Sequence, residues 1–157
     1  MLFRSVKGIT VDTASEMRSQ MLECLRTANL IIMSAAVADV KPKEYSSQKL
    51  PKKSLPEALA LENVEDIIAE LASSKGDNPK LIGFAAQTGD IVTPAKEKLQ
   101  RKNLDAIVAN PIDEIGSGFG SDTNKAIYID RKGNVVEIPM CSKLEMAHRI
   151  LELGVKS

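Results

Sequence analysis

The fold is decided by Leu81-Ile82-Gly83-Phe84-Ala85, a short apolar run that follows the turn Gly76-Asp77-Asn78-Pro79. Apolar runs of this length are typical of strands that are buried on both faces of a parallel sheet. Two similar runs, Leu30-Ile31-Ile32-Met33 and Ala106-Ile107-Val108-Ala109, lie before and after it along the chain. The sequence therefore predicts three buried parallel strands.

Segments with helical spacing alternate with these strands. A capping box at Thr13-Ala14-Ser15-Glu16 starts a helix that runs to Leu25. Further helices are predicted over Val64 to Ala72 and, after Pro94 at a helix start, over Ala95 to Lys102. This alternation predicts an α/β fold with a doubly wound, Rossmann-like and mostly parallel sheet.

The last third of the chain predicts a different arrangement. The runs Ala126-Ile127-Tyr128-Ile129 and Val135-Val136-Glu137-Ile138 flank the turn Lys132-Gly133-Asn134, which is typical of an antiparallel hairpin at the sheet edge. Ser142 then caps an amphipathic helix that we expect to end at Gly154.

Composition excludes several classes of protein. Of 157 residues, 43% are hydrophobic and 27% charged, and the 21 basic residues balance the 21 acidic ones. No apolar run approaches the roughly 20 residues that span a bilayer, and aromatic residues are only 3%, which argues against a nucleic-acid-binding platform. We expect a cytoplasmic protein without membrane or nucleic-acid partners, in which Cys24 packs as a small buried apolar residue.

The start of the chain does not match a complete domain of this class. The sequence opens almost directly at a predicted strand end, Ile9-Thr10-Val11, and holds neither a GxGxxG nor a GxxxxGK[ST] phosphate loop. In doubly wound folds that loop follows the first strand. The expectation is therefore an N-terminally truncated domain over residues 1–157, without its first strand and phosphate loop.

Ligands of open α/β sheets lie at the carboxyl ends of the parallel strands. Here these ends are Ser34 to Asp39, Phe84 to Thr88 and Ala109-Asn110-Pro111. Small residues at the first two would let a flat ligand approach the backbone, although tight packing of the alanines against a helix explains them equally well.

A lysine-rich segment follows the first strand end. Asp39 could hold Mg²⁺ together with phosphate oxygens, and a basic loop can close over a polyphosphate. A solvated surface loop is the alternative interpretation. The lysines are Lys41, Lys43, Lys49, Lys52 and Lys53.

A second cationic group lies after the second strand end. Lys98 and Lys102 share one helix face at i and i+4, where like charges destabilise the helix unless an anion is bound. Glu65 and Asp66 are predicted in the first turn of their own helix, where acidic side chains suit the dipole. Solvated faces remain the commoner explanation of such pairs.

Six blocks in fixed order carry a resemblance to a known family. They are Ala35 to Asp39, Lys49 to Lys53, Gly83 to Thr88, Lys98 to Lys102, Ile107 to Asn110 and Gly118 to Asn124. Together they resemble the bacterial phosphopantothenoylcysteine synthetase (phosphopantothenate–cysteine ligase) family. That family's front segment, with its phosphate loop, has no counterpart in this sequence, nor has the FMN-binding decarboxylase domain often fused ahead of it.

The resemblance implies a CTP-dependent ligase of coenzyme A synthesis that joins 4′-phosphopantothenate to cysteine through an acyl-cytidylate. It implies Mg²⁺ held at Asp39, a homodimer, and Lys49 as the loop lysine that acts on the intermediate. The implied nucleotide contacts are Met33, Ser34, Ala35, Asp39, Lys49, Glu65, Asp66, Ile67, Ile68, Phe84, Lys98 and Lys102.

Two other functions stay open at this point. The run Asp105 to Pro111 is similar to the strand-end Asn-Pro of amino-methylating enzymes, which favours a methyltransferase fragment that would bind S-adenosylmethionine. The missing phosphate loop favours a non-catalytic half-domain that acts by association with a partner chain.

Overall fold

The computed structural model describes residues 6–54, 57–113 and 120–156. Within these ranges helices and strands alternate as the sequence predicts, and a short 3₁₀ turn covers Lys52–Ser54. The helices are α1 (Ala14–Cys24), α2 (Ile67–Ser74), α3 (Val92–Arg101) and α4 (Lys143–Lys156). The strands are β1 (Leu30–Met33), β2 (Val40–Pro42), β3 (Leu61–Asn63), β4 (Lys80–Gln87), β5 (Ala106–Pro111), β6 (Thr123–Asp130) and β7 (Val135–Ser142).

The main sheet has the strand order β1-β4-β5-β6-β7. Strands β1, β4 and β5 pair in parallel, with Ile32 opposite Ile82 and Phe84 opposite Val108. Strands β6 and β7 add in antiparallel fashion and close the sheet as an edge hairpin. The predicted α/β fold with its parallel strands and edge hairpin is therefore confirmed.

The two faces of this sheet carry separate cores. On one face α1, α2 and α3 cover a cluster that includes Leu71, Leu99 and Ile107. On the other face α4 inserts Met146 and Ile150 against a second cluster on the sheet. Because helices lie on both faces, the parallel strands are buried from both sides, which explains their unbroken apolar sequences.

Most helix boundaries agree with their sequence signals. Thr13 and Glu16 form the predicted capping box, and the Ser142 hydroxyl accepts from the Glu145 N–H at 3.2 Å. Helix α2, however, begins at Ile67 with Asp66 as its N-cap, so Glu65 precedes the helix instead of lying in its first turn. The prediction for Glu65 was wrong because the capping carboxylate, not the acidic composition, defines the start.

The expected stop at Gly154 was also wrong, since α4 continues to Lys156. Gly154 is buried in the helix, and a Cβ atom built there would lie 2.7 Å from the Ile82 Cδ1 atom and 3.4 Å from Leu30 Cδ2. The glycine therefore serves close packing of α4 on β1 and β4, not termination.

Two further expectations from the sequence are corrected. Residues Ile9-Thr10-Val11 are not part of a strand, because no described strand lies beside them to share hydrogen bonds. Cys24 is exposed, not buried, at the last turn of α1.

The lysine-rich segment is framed by a ribbon that sequence reasoning missed. Strands β2 and β3 pair in antiparallel fashion, with Lys41 opposite Glu62 and their side chains 3.2 Å apart. The Val64 N–H donates to the Asp39 carbonyl at 2.9 Å. The ribbon therefore fixes Asp39 beside the segment that leads into α2, and the lysines between the two strands project outward.

At the amino ends of β4 and β5, Asp105 is the centre of a polar cluster. Its carboxylate accepts from Lys75 Nζ at 2.6 Å and from the Leu81 N–H at 2.8 Å. Arg131 lies 3.6 Å from the second carboxylate oxygen and donates to the Leu104 carbonyl. The Lys75 side chain is only 7% exposed, so Asp105 compensates a buried charge and aligns β4 with β5.

We predict that Asp105→Ala lowers the free energy of unfolding by about 2–4 kcal/mol, because it leaves the Lys75 ammonium and the Leu81 N–H unpaired. Urea denaturation followed by circular dichroism measures the change. The double variant Asp105→Ala/Lys75→Met should lose less than the sum of the two single variants. Strictly additive losses would show that the ion pair does not stabilise the fold.

Candidate functional site

A cavity of about 810 Å³ opens at the carboxyl ends of β1, β4 and β5. Parallel pairing places these three ends at one edge of the sheet, where ligands of open α/β folds bind. The volume lies within the 300–1,000 Å³ typical of small-molecule sites. The cavity is therefore large enough for a nucleotide.

The first wall is the segment that follows β1. Met33, Ser34 and Ala35 line the cavity and lead through further small residues to Asp39. Ser34, Ala35 and Asp39 are exposed in this structure. Since alanine side chains are short, this wall presents mainly backbone groups, which a flat ligand can approach closely.

The second wall combines the start of α2 with the end of α3. Asp66 accepts from the Ala69 N–H at 3.3 Å and forms a 2.7 Å ion pair with Lys102. Partial burial by itself raises the pKa of Asp66. The hydrogen bonds from Lys102 and Ala69 and the charges of Lys102 and Lys98 lower it by more than burial raises it. The net pKa of Asp66 therefore lies below its ordinary value. Asp66 therefore stays ionised and holds Lys102 at the cavity.

Lys98 lies one turn before Lys102 on α3, and its ammonium donates to the Phe84 carbonyl at 2.9 Å. Burial is the main cause that lowers the pKa of Lys98, and the neighbouring charges of Lys102 and Arg101 add to it. Asp66 and Asp39 oppose this shift only in part. The charged form of Lys98 is thus destabilised, and an anion in the cavity would relieve it.

All predicted contact residues except Lys49 line this one cavity. They are Met33, Ser34, Ala35, Asp39, Glu65, Asp66, Ile67, Ile68, Phe84, Lys98 and Lys102. Lys49 is exposed on the loop between β2 and β3 and is not part of the cavity wall. Of the Gly118 to Asn124 block, Gly118 and Phe119 lie outside the described residues, whereas Gly120 and Asn124 line the cavity.

Asp39 was also predicted to hold Mg²⁺. Among the described residues there is no group of three or more His, Cys, Asp or Glu side chains that could enclose a metal ion. Mg²⁺ usually takes one or two carboxylates and completes its shell with phosphate oxygens and water. Asp39 supplies one carboxylate at the cavity, which fits that donor set.

A third wall of the cavity is formed by α4 and β6, and the sequence did not predict it. Lys143, Met146, Ala147, Ile150 and Leu151 line the cavity from the opposite face of the sheet, beside Asn124. Sequence reasoning assigned α4 only to packing, because an amphipathic pattern does not show that a helix passes a site. The pairing of β6 with β7 shifts register between Asn124 and Ala126, at the point where β6 meets the cavity.

Comparison with known proteins identifies the family of this chain. The profile of the family described as DNA/pantothenate metabolism flavoprotein C-terminal domain matches residues 3–156. The chain belongs to this family.

Two curated relatives and one solved structure illustrate the similarity. The bifunctional protein of coenzyme A biosynthesis, CoaBC, from Bacillus subtilis (strain 168) is 40% identical over 144 residues, which are 92% of this chain and 35% of that protein. A cysteine/cysteine sulfinic acid decarboxylase from an unknown prokaryotic organism is 38% identical over 148 residues, 94% of this chain and 41% of that protein. The crystal structure of the C-terminal domain of CoaBC matches with a TM-score of 0.72 and 33% identity, covering 92% of this chain and 64% of that chain.

This family member therefore spans about two fifths of the curated relatives that it matches. The match to the crystallised domain includes the α/β sheet described above. In the described part of the chain, no helix has the length and apolar character needed to cross a membrane.

We predict that the pKa of Lys98 responds in opposite directions to its two neighbours. Lys102→Met removes a repelling charge and should raise the pKa of Lys98, whereas Asp66→Asn removes an attracting charge and should lower it. A ¹³C NMR titration of the lysine side chains measures both shifts. Lys156→Met, at the exposed end of α4, is the control and should leave Lys98 unchanged.

Proposed function

We propose that this chain forms the nucleotide-binding part of a CTP-dependent phosphopantothenate–cysteine ligase of coenzyme A biosynthesis. The observation that carries the proposal is the cavity, because it is lined by nearly every residue that the family resemblance assigns to the nucleotide. Membership of the family and the 40% identity to the Bacillus subtilis CoaBC protein support it.

The reaction proceeds in two displacements. The carboxylate of 4′-phosphopantothenate attacks the α-phosphorus of CTP, and pyrophosphate leaves as an acyl-cytidylate forms. The cysteine amine then attacks the acyl carbon, loses a proton, and displaces CMP as the amide bond forms. Both steps develop negative charge on oxygen atoms, which fixed cationic groups stabilise.

The proposed roles follow from the positions of the side chains. Met33, Ser34 and Ala35 offer backbone groups to the nucleotide at the end of β1. Lys98 and Lys102 contact the nucleotide from α3, and their neighbour Asp66 keeps Lys102 oriented. Phe84 lies on the cytosine side, and Glu65, Ile67 and Ile68 complete the wall at the start of α2.

Asp39 is the residue that would hold Mg²⁺, which supplies charge neutralisation to the phosphates when bound. Lys49 is proposed to act on the acyl-cytidylate from the loop between β2 and β3. Because Lys49 lies outside the cavity wall in this structure, that role requires the loop to close over bound substrate, as substrate-covering loops do in many enzymes.

The proposal concerns one domain of a larger activity. One relative is named as a decarboxylase, and this chain matches 41% of that protein. We assign FMN to a decarboxylase domain and not to the present sequence. We place the protein in the cytoplasm and propose a homodimer. The ribbon of β2 and β3 supports the dimer because apolar side chains are exposed there and a second copy could cover them. The exposed fractions are 44% for Val40, 55% for Leu61 and 62% for the neighbouring Leu59.

We predict a rise of Tm on addition of CTP with Mg²⁺ that ATP does not match. A ligand that binds only the folded state stabilises it by about 2.7 kcal/mol at a hundredfold excess over Kd. Thermal unfolding with each nucleotide measures the difference, and Asp39→Asn should lose the part of the CTP effect that depends on Mg²⁺.

The competing functions give different results in the same titration. Stabilisation by S-adenosylmethionine and not by CTP would replace the ligase proposal with a methyltransferase. No shift with any of the ligands would contradict nucleotide binding by this chain and would favour a half-domain that acts only through a partner.

For Lys49 we predict that substitution by Ala slows amide formation by at least about a hundredfold, the lower range for loss of one group that stabilises developing charge, with Tm unchanged. The measurement is single-turnover conversion of added acyl-cytidylate and cysteine by the wild-type and variant proteins. Lys43→Ala, an exposed lysine in the same loop, is the matched control. Equal rates for Lys49→Ala and Lys43→Ala would contradict the assigned role.

A further inference from the structure

Within the described part of the chain, three lysine side chains line the cavity, and they differ in how they are held. Lys98 donates to the Phe84 carbonyl at 2.9 Å, and Lys102 forms a 2.7 Å ion pair with Asp66. The ammonium of Lys143 forms no ion pair and no hydrogen bond with any other described residue. Lys143 is therefore the cavity lysine that is left to interact with a ligand.

The start of α4 holds the backbone of Lys143 in a defined position. The Lys143 N–H donates to the Asp122 carbonyl at 3.1 Å, and Ser142 caps the helix immediately before it. In the pairing of β6 with β7, Ser142 lies opposite Thr123. The backbone at Lys143 is thus tied to β6 at the rim of the cavity, whereas its side chain is exposed.

The charges around the cavity are divided between its walls. Among the described lining residues, the acidic side chains are Asp39, Glu65 and Asp66, which lie after β1 and at the start of α2. The wall formed by α4 and β6 contributes Lys143 and no carboxylate from the same set of residues. A cation on a wall without carboxylates favours an anion at that side of the cavity.

The structure gives no stabilising role to a lysine at this position. Lys143 is the first residue of α4, where the helix dipole disfavours a cation. Glu145, the acidic residue of the same turn, pairs with Arg149 at 2.6 Å and not with Lys143. Loss of the Lys143 charge should therefore leave the fold as stable as before or slightly more stable.

We propose that Lys143 binds a phosphate group of a substrate, from the face of the sheet opposite to Lys98 and Lys102. A lysine ammonium binds phosphate as a point charge with three rotatable donors. Both substrates of the proposed ligase that enter the first step carry phosphate, CTP as a triphosphate and 4′-phosphopantothenate as a phosphomonoester. The choice between these two sources rests on the proposed function, whereas phosphate binding by Lys143 does not.

The test compares Lys143→Met with the charge-conserving Lys143→Arg and with Lys156→Met, a control at the exposed far end of the same helix. Calorimetric titration of each protein measures the Kd of inorganic pyrophosphate, of CTP with Mg²⁺ and of 4′-phosphopantothenate. We expect Lys143→Met to weaken pyrophosphate and one of the two substrates by about tenfold or more, as for loss of one charge-assisted hydrogen bond. Lys143→Arg and Lys156→Met should bind like the wild type, and the Tm of Lys143→Met should not fall.

The two substrates identify the source of the phosphate. Weaker binding of CTP alone assigns Lys143 to the triphosphate. Weaker binding of 4′-phosphopantothenate, with unchanged binding of pantothenate, which lacks the phosphate, assigns Lys143 to the phosphomonoester.

The remaining results separate this proposal from the ligase proposal. Unchanged Kd values for all three ligands in Lys143→Met, or equal losses in Lys156→Met, would overturn the role of Lys143 and leave the ligase proposal intact. Binding of pyrophosphate that depends on Lys143, without binding of either substrate, would support the phosphate site and contradict the ligase. A wild-type chain that binds none of the three ligands would contradict both.

Discussion

The parallel hydrogen bonding of β4 between β1 and β5 is the constraint on which the rest of the structure depends. Through it, the segments after Met33, Gln87 and Pro111 emerge at one edge of the sheet. A cavity at that edge then follows from topology, since the loops and helices after each strand must diverge above it. The polar cluster at Asp105 fixes the opposite ends of β4 and β5 and so supports the same alignment.

Two cations on α3 reduce the stability of the fold. Lys98 and Lys102 lie one turn apart on a partly buried face, and burial lowers the pKa of Lys98. Between the lowered pKa of Lys98 and the ordinary value of 10.5, the unfolded chain binds more protons than the folded one. The contribution of Lys98 therefore makes the free energy of unfolding rise with pH in that range. At neutral pH its charge weakens the fold. An anion held in the cavity would offset this cost.

The cavity is formed by both faces of the sheet. Helices α2 and α3 supply the carboxylate and ammonium groups from one face, and α4 supplies Lys143 and apolar side chains from the other. The first wall, in contrast, offers mostly backbone.

The sequence by itself determined the strands of the main sheet, the capping box of α1, the family and most of the residues around the cavity. It did so because apolar runs, the capping box and strand-end residues are local signals, and at these positions the tertiary contacts agree with them. Only the tertiary structure decided that Asp66 pairs with Lys102, that Gly154 lies inside α4, and that β2 and β3 form a ribbon. It also placed Lys49 outside the cavity and Lys143 at its wall. These features depend on contacts between residues far apart in sequence, and no local pattern contains them.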